Sequence, residues 1–241
     1  MVIDMNLSIV PIYLAIVFLF CFLIVRQASK NEIIAKAVER KILLLLLAFI
    51  LWSVSVALLA LGDQHVSLIA TIPLLWQAFV PVGIWITAIF LSADLRSGLL
   101  KIATHTPAQW LVLIQALRLG AIGGIVKGLN GEIGSDYVFW IGVPDFLFGL
   151  SALLIGLLMF NREINVRLLI VWHLIGFSLI FFPTFLIMSY WMNEPGFVFI
   201  FEYPMILAPG MLVPLLISLN LLHAWGLFQK QRHSHPQGLQ T

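Results

Sequence analysis

The stretch Ile42-Leu-Leu-Leu-Leu-Leu-Ala-Phe-Ile-Leu-Trp-Ser-Val-Ser-Val-Ala-Leu-Leu-Ala-Leu-Gly62 contains no charged residue. A run of about 20 apolar residues is the length an α-helix needs to cross a bilayer core of about 30 Å. Six further runs of this kind flank it, so the expected spans are Ser8–Val25, Ile42–Gly62, Leu68–Ala93, Ala108–Val126, Val138–Phe160, Val166–Trp191 and Met205–Phe228. The expected fold is all-α: a single seven-transmembrane-helix bundle over residues 1–228, followed by a flexible cytoplasmic tail at 229–241. The third and sixth runs are long enough to tilt or kink, and each holds proline, at Pro73, Pro81 and Pro183.

Composition supports this class. Of 241 residues, 61% are hydrophobic and 10% charged, against about 25% charged in soluble domains. Mean hydropathy is +1.06. The continuous runs lack the strict alternation of a membrane β-barrel. The single cysteine, Cys21, excludes an internal disulfide and any cysteine-based metal cluster. A net charge of +2 argues against a nucleic-acid partner; the partner expected from this composition is the lipid bilayer. The N-terminal segment carries Asp4 and no basic n-region, so a cleavable signal peptide is not expected.

The basic residues set the orientation. Arg26, Lys30, Lys36, Arg40 and Lys41 follow the first span. Arg96 and Lys101 follow the third, Arg162 and Arg167 the fifth, and Lys230 and Arg232 the last. The opposite side holds Lys127 alone among basic residues, with Asp4, Asp63, Glu132, Asp136, Glu194 and Glu202. Excess Lys and Arg mark cytoplasmic connections, so the N-terminus is expected outside and the C-terminus inside. Arg26–Lys41 reads as a helical continuation, and Asp94–Thr104 as a short amphipathic piece along the interface. Trp110, Tyr137, Trp140, Tyr190, Trp191 and Trp225 sit at span ends as interfacial anchors. Trp52, Trp76 and Trp85 lie deeper, as packing or pocket walls.

Arg118 and Asp145 have no topological role. A charge within a span is costly and is by default a candidate functional residue. At about 1.5 Å rise per residue, Arg118 lies roughly 16 Å and Asp145 roughly 19 Å from the cytoplasmic face. Matching depth on consecutive helices predicts a mutual ion pair. Gln115 shares a helix face with Arg118, Gln77 falls near mid-depth, and His173, Asn220 and His223 lie towards the cytoplasm. Gly142-Val-Pro-Asp145 and Gly149 permit a broken helix and close backbone approach beside the acid. The candidate ligand-binding residues are Arg118, Asp145, Gln115, Gln77 and His173, for a small polar or anionic solute. The alternatives are a haem held by His173 and His223, and a non-catalytic assembly or sensory subunit in which the ion pair is structural.

No catalytic residues are assigned. His-Glu-x-x-His, Gly-x-Ser-x-Gly and adjacent carboxylate pairs are absent from the sequence. The glycine-rich Lys127–Gly134 lacks the Gly-Lys-Ser/Thr ending of a phosphate loop and reads as a turn. No metal site is expected; His233 and His235 belong to the tail.

The stretches Gln115-Ala-Leu-Arg118-Leu-Gly120, Phe139-Trp140-Ile-Gly142-Val-Pro144-Asp145-Phe-Leu-Phe-Gly149 and Trp172-His173-Leu-Ile-Gly176 are followed by Pro204, Pro209, Pro214 and His223. In this order, over roughly Trp110–Trp225, they resemble a family of uncharacterised bacterial multi-pass inner-membrane proteins. Leu129-Asn130 departs from the Leu-Pro of that pattern. The resemblance implies a bacterial inner-membrane location and carries no activity. A second likeness is to sugar-transporting proteins built as three plus one plus three spans. Pro11 and Pro144, and Pro81 and Pro214, recur at one offset here, although the Pro-Gln signature of those transporters is missing from the spans. That likeness implies a transporter.

Overall fold

The computed structural model describes residues 8–62, 76–186 and 200–233. It is helical throughout, with no strand among the described residues. The helices are α1 (Val10–Lys30), α2 (Lys36–Leu61), α3 (Trp76–Leu91), α4 (Ala93–His105), α5 (Ala108–Leu129), α6 (Ser135–Leu158), α7 (Val166–Leu186) and α8 (Val213–His233), the last entered through a turn at Ala208–Leu212. Among the described residues, six helices are long and apolar enough to cross a membrane, or seven if α3 and α4 together form one bent span. Expected spans one, two, four and five correspond to α1, α2, α5 and α6. Residues 68–75 of the third and 187–191 of the sixth lie outside the described residues, as does Pro73.

Several boundaries differ from expectation for local reasons. The Arg26–Lys41 continuation is broken: α1 ends at Lys30, and the amides of Glu32 and Ile33 turn back to the carbonyls of Ser29 and Ala28 (3.2 and 2.9 Å). Glu32 takes the positive φ of 59° that this closing motif requires. Across the turn, buried Glu39 accepts from Arg26 Nη1 (2.8 Å), Ser29 Oγ (2.5 Å) and Lys36 Nζ (3.0 Å), which ties α1 to α2. At the C-terminus the expected tail begins too early, because α8 stays helical to His233 and only 234–241 lie outside the described residues. The amphipathic piece after span three is helix α4. Ser92 caps it by accepting from the Leu95 amide (3.2 Å), and it leaves α3 at 107°.

The apolar side chains point both ways. Val17, Phe49, Val56 and Met211 fill the interior, while Leu19, Leu44, Phe90 and Leu168 face outward, Leu44 at 65% and Phe90 at 77% exposure. The polar side chains Gln77, Gln115, Arg118, His173, Asn220 and His223 are all buried. Helix α8 is the central element: 67% of its candidate span is buried, against 28% or less in the other five single spans. It packs along α7 and α4, while α5 lies along α6.

Proline shapes the N-terminal parts of α6 and α8 in the same way. A proline ring clashes with the carbonyl four residues back and has no N–H to offer it. Just before Pro144 and Pro214 the chain widens into a π turn, with Val143 N–H reaching Val138 O and Val213 N–H reaching Ala208 O. The Gly210 carbonyl that Pro214 leaves free accepts from Trp52 Nε1 at 3.1 Å. Trp52 is therefore a wall residue with a fixed polar end.

Candidate functional site

Arg118 and Asp145 form the ion pair that their depths predict, Nε of the guanidinium donating to Oδ1 of the carboxylate. The two partners are not equally enclosed: the Arg118 side chain is 1% exposed and that of Asp145 20%. Arg118 Nη1 donates to the Gly176 carbonyl of α7 at 2.9 Å. The ring of Phe148 covers the guanidinium, 4.3 Å from Cζ to centroid, a cation–π geometry. Nη2 is buried and has no hydrogen-bond partner. The guanidinium thus joins three helices and keeps one nitrogen's donors unspent.

Local backbone geometry makes this possible. Residues Ile114–Ala121 of α5 form a 3-10 segment, eight residues long. Such runs rarely exceed 3–4 residues and often mark functional positions, and in them residues three apart eclipse one another. Gln115 and Arg118 are therefore stacked on one line into the core, more closely aligned than an α-helix would place them. On α6, Asp145 follows the π turn Val138–Gly142 directly after Pro144. Gly142, Gly149 and Gly156 recur every seven residues and face α5 at Ile125, Leu119 and Leu113. Small residues at such spacing let two helix backbones approach, which carries Asp145 to Arg118. Gly176 matters on the other side, because the Phe148 ring occupies the place where its Cβ would stand. Phe148 in turn stacks on Trp172 (centroids 4.3 Å, 17°), whose Nε1 donates to Ser151 Oγ at 3.0 Å.

A second polar chain begins at Gln115. Its Nε2 donates to the Leu216 carbonyl (3.2 Å), and its Oε1 accepts from Asn220 Nδ2 (3.3 Å). Asn220 Oδ1 then faces His173 Nδ1 at 2.7 Å. Because that amide oxygen can only accept, His173 carries its proton on Nδ1 and presents a lone pair at Nε2. His173 Nε2 and His223 Nδ1 are buried without hydrogen-bond partners, and the two rings meet edge to face with centroids 4.4 Å apart.

The structure joins Arg118 with Asp145 in one polar network across α5, α6 and α7, and Gln115 with His173, through Asn220, in a second across α5, α7 and α8. Gln77 on α3 is buried, but neither of its amide atoms has a hydrogen-bond partner, and it shares no bond with the others. Two imidazoles ligating one haem iron sit on opposite faces of the macrocycle; the contact between His173 and His223 leaves no such gap. Sequence reasoning did not find Phe148, the Gly176 and Leu216 carbonyls, or buried Glu39. Phe148 and Gly176 lie three residues after Asp145 and His173, a one-turn spacing that was the available signal. The described residues hold no group of three or more His, Cys, Asp or Glu side chains able to bind a metal. No protein-family model, curated protein or solved structure matches the chain.

Proposed function

We propose that the chain is a bacterial inner-membrane protein of seven spans, N-terminus outside and C-terminus cytoplasmic, that binds or transports a small polar or anionic solute at Arg118–Asp145. The bilayer reading is supported by the large apolar side chains turned outward along the long helices, while Gln115, Arg118, His173 and Asn220 are buried. The orientation rests on the eleven basic residues assigned to one side. Reporter fusions at the C-terminus test it: a fluorescent protein folds and glows in the cytoplasm, whereas alkaline phosphatase fused there stays inactive. Active phosphatase would reverse the orientation.

The observation that carries the solute reading is the unpartnered Nη2 of a guanidinium enclosed in an apolar bundle. A purely structural clamp has no use for an unspent charged donor, because a buried donor without a partner costs about 1–3 kcal/mol, and more for a charged group. Gln115 and His173 complete the polar wall, and Asp145 is the accessible member of the pair. An anion at Nη2 competes with Asp145 for one positive charge. Anion binding is therefore accompanied by proton uptake on the carboxylate, while a neutral polar solute binds without it.

The test is thermal unfolding of the purified protein with millimolar phosphate, small carboxylates and neutral sugars. At least one compound raises the melting temperature of the wild type and leaves Arg118→Gln unmoved; if an anion does so, its effect grows as pH falls. Equal responses in both proteins, or none in either, would remove the solute site from Arg118.

A further inference from the structure

The Arg118 guanidinium is already surrounded by electron-rich groups. Asp145 Oδ1 accepts from Nε, the Gly176 carbonyl accepts from Nη1 at 2.9 Å, and the face of the Phe148 ring lies 4.3 Å from Cζ. Among the described residues Arg118 is the only buried lysine or arginine. Its charge is therefore matched in full by the Asp145 carboxylate, and a carbonyl oxygen and a π face add further negative potential. An anion arriving here would set two negative charges against one positive. Burying a charge that has no partner of its own is costly.

The atoms left unspent describe what does fit. Nη2 of Arg118 is a buried donor without a partner. On Asp145 only Oδ1 takes part in a hydrogen bond among the described residues, so the lone pairs of Oδ2 are open. The 20% exposure of this side chain, against 1% for Arg118, makes Asp145 the side of approach. Nη2 shares Cζ with the bonded Nε, and Oδ2 shares Cγ with the bonded Oδ1. An open donor and an open acceptor thus flank a single ion-pair contact. With Nε and Nη1 both engaged, no two free nitrogens remain for the two-point grip on a carboxylate or phosphate. The complement is a group that offers an acceptor to Nη2 and a donor to Oδ2 and carries no net charge.

We infer that the solute at Arg118–Asp145 is electrically neutral and presents an acceptor beside a donor, as a primary amide or a vicinal diol does. This rests on the reading of the pair as a solute site and narrows its class. Arg118 Nη2 donates to the carbonyl or hydroxyl oxygen of the solute, and Asp145 Oδ2 accepts from its N–H or O–H. Asp145 is then the residue that determines specificity: its charge, left in place, is what turns anions away.

The experiment compares molecules of one shape and two charges. Acetamide and acetate, with ethylene glycol as the diol arm, are titrated against the full chain in detergent at constant ionic strength and a pH of about 8, and the rise in melting temperature is followed. Half of the maximal rise in the wild type needs about tenfold less of a neutral molecule than of acetate, the loss expected when an ion is left without a partner. Which neutral arm acts separates amide from diol. In Asp145→Asn the order reverses, because the guanidinium is uncompensated and acetate takes the place of the missing carboxylate. In Arg118→Gln no compound acts. Acetate that acts on the wild type as strongly as the neutral molecules, with every response lost in Arg118→Gln, overturns the neutral class and leaves the solute site standing. So does an Asp145→Asn protein that still prefers the neutral molecule. Responses that persist in Arg118→Gln, or none in the wild type, remove the site and the inference with it. The wild-type comparison decides the matter by itself where Asp145→Asn fails to fold.

Discussion

Gly149 of α6 rests on the backbone of α5: a Cβ added there would stand 2.5 Å from the amide nitrogen of Leu119 and 2.8 Å from the carbonyl carbon of Arg118. Because the obstacle is backbone, no side-chain rotation relieves it. Gly149→Ala must push the two helices apart at the point where Asp145 meets Arg118, and overpacking of this kind costs about 1–3 kcal/mol. The melting temperature of Gly149→Ala should fall clearly. Gly123→Ala is the control: nothing lies within 4 Å of its added methyl, so it should be neutral or gain up to about 1 kcal/mol from helix propensity. Equal behaviour of the two variants would show that the helices do not touch at Gly149.

Phe148 links the ion pair to α7. It covers the Arg118 guanidinium, stacks on Trp172 and packs over Gly176. Phe148→Ala should lower stability by about 3 kcal/mol or more, a typical loss for a buried ring, and should red-shift the emission of Trp172 as its stacked face opens. Phe148→Leu keeps the apolar volume and loses the quadrupole, so it isolates the cation–π contribution of about 0.5–2 kcal/mol. A Phe148→Leu variant as stable as the wild type would mean that the ring contributes volume alone.

Asn220 sets the tautomer of His173. Nitrogen NMR of labelled histidine should find His173 protonated at Nδ1 in the wild type. In Asn220→Ala the acceptor is gone, and the ring should show a mixture of tautomers, with a stability loss of about 0.6–2 kcal/mol for an interhelical bond. Retention of the single Nδ1 tautomer would show that another group orients this ring.

The helical class and most helix positions were legible because they follow from the length and composition of apolar runs. The Arg118–Asp145 pair was legible because a rise per residue converts sequence position to depth. Helix ends read less well. The break at Asn31–Ala35 depends on Glu32 adopting a left-handed conformation that its residue type disfavours, and α8 continues past Phe228 through residues whose polarity suggested a tail. The lid over Arg118 was not legible, since Phe148 is one of 18 phenylalanines and is set apart only by the helix it faces. The Asn220 bridge lay within reach: Asn220 and His223 share a helix face, but their partners on α5 and α7 are a matter of tertiary packing. Gln77 was grouped with Arg118 by depth alone, and depth does not fix the direction in which a side chain points.

The most direct test of the central claim separates a clamp from a site. Arg118→Gln and Asp145→Asn should each lower stability by about 3–5 kcal/mol by stranding the opposite charge, and the double variant should recover most of that loss. The deciding measurement is the thermal response of the refolded-competent double variant to the solute that stabilises the wild type. The account predicts near-normal stability and no response. A double variant that still gains the full wild-type shift would contradict it and leave Arg118 and Asp145 as a structural pair.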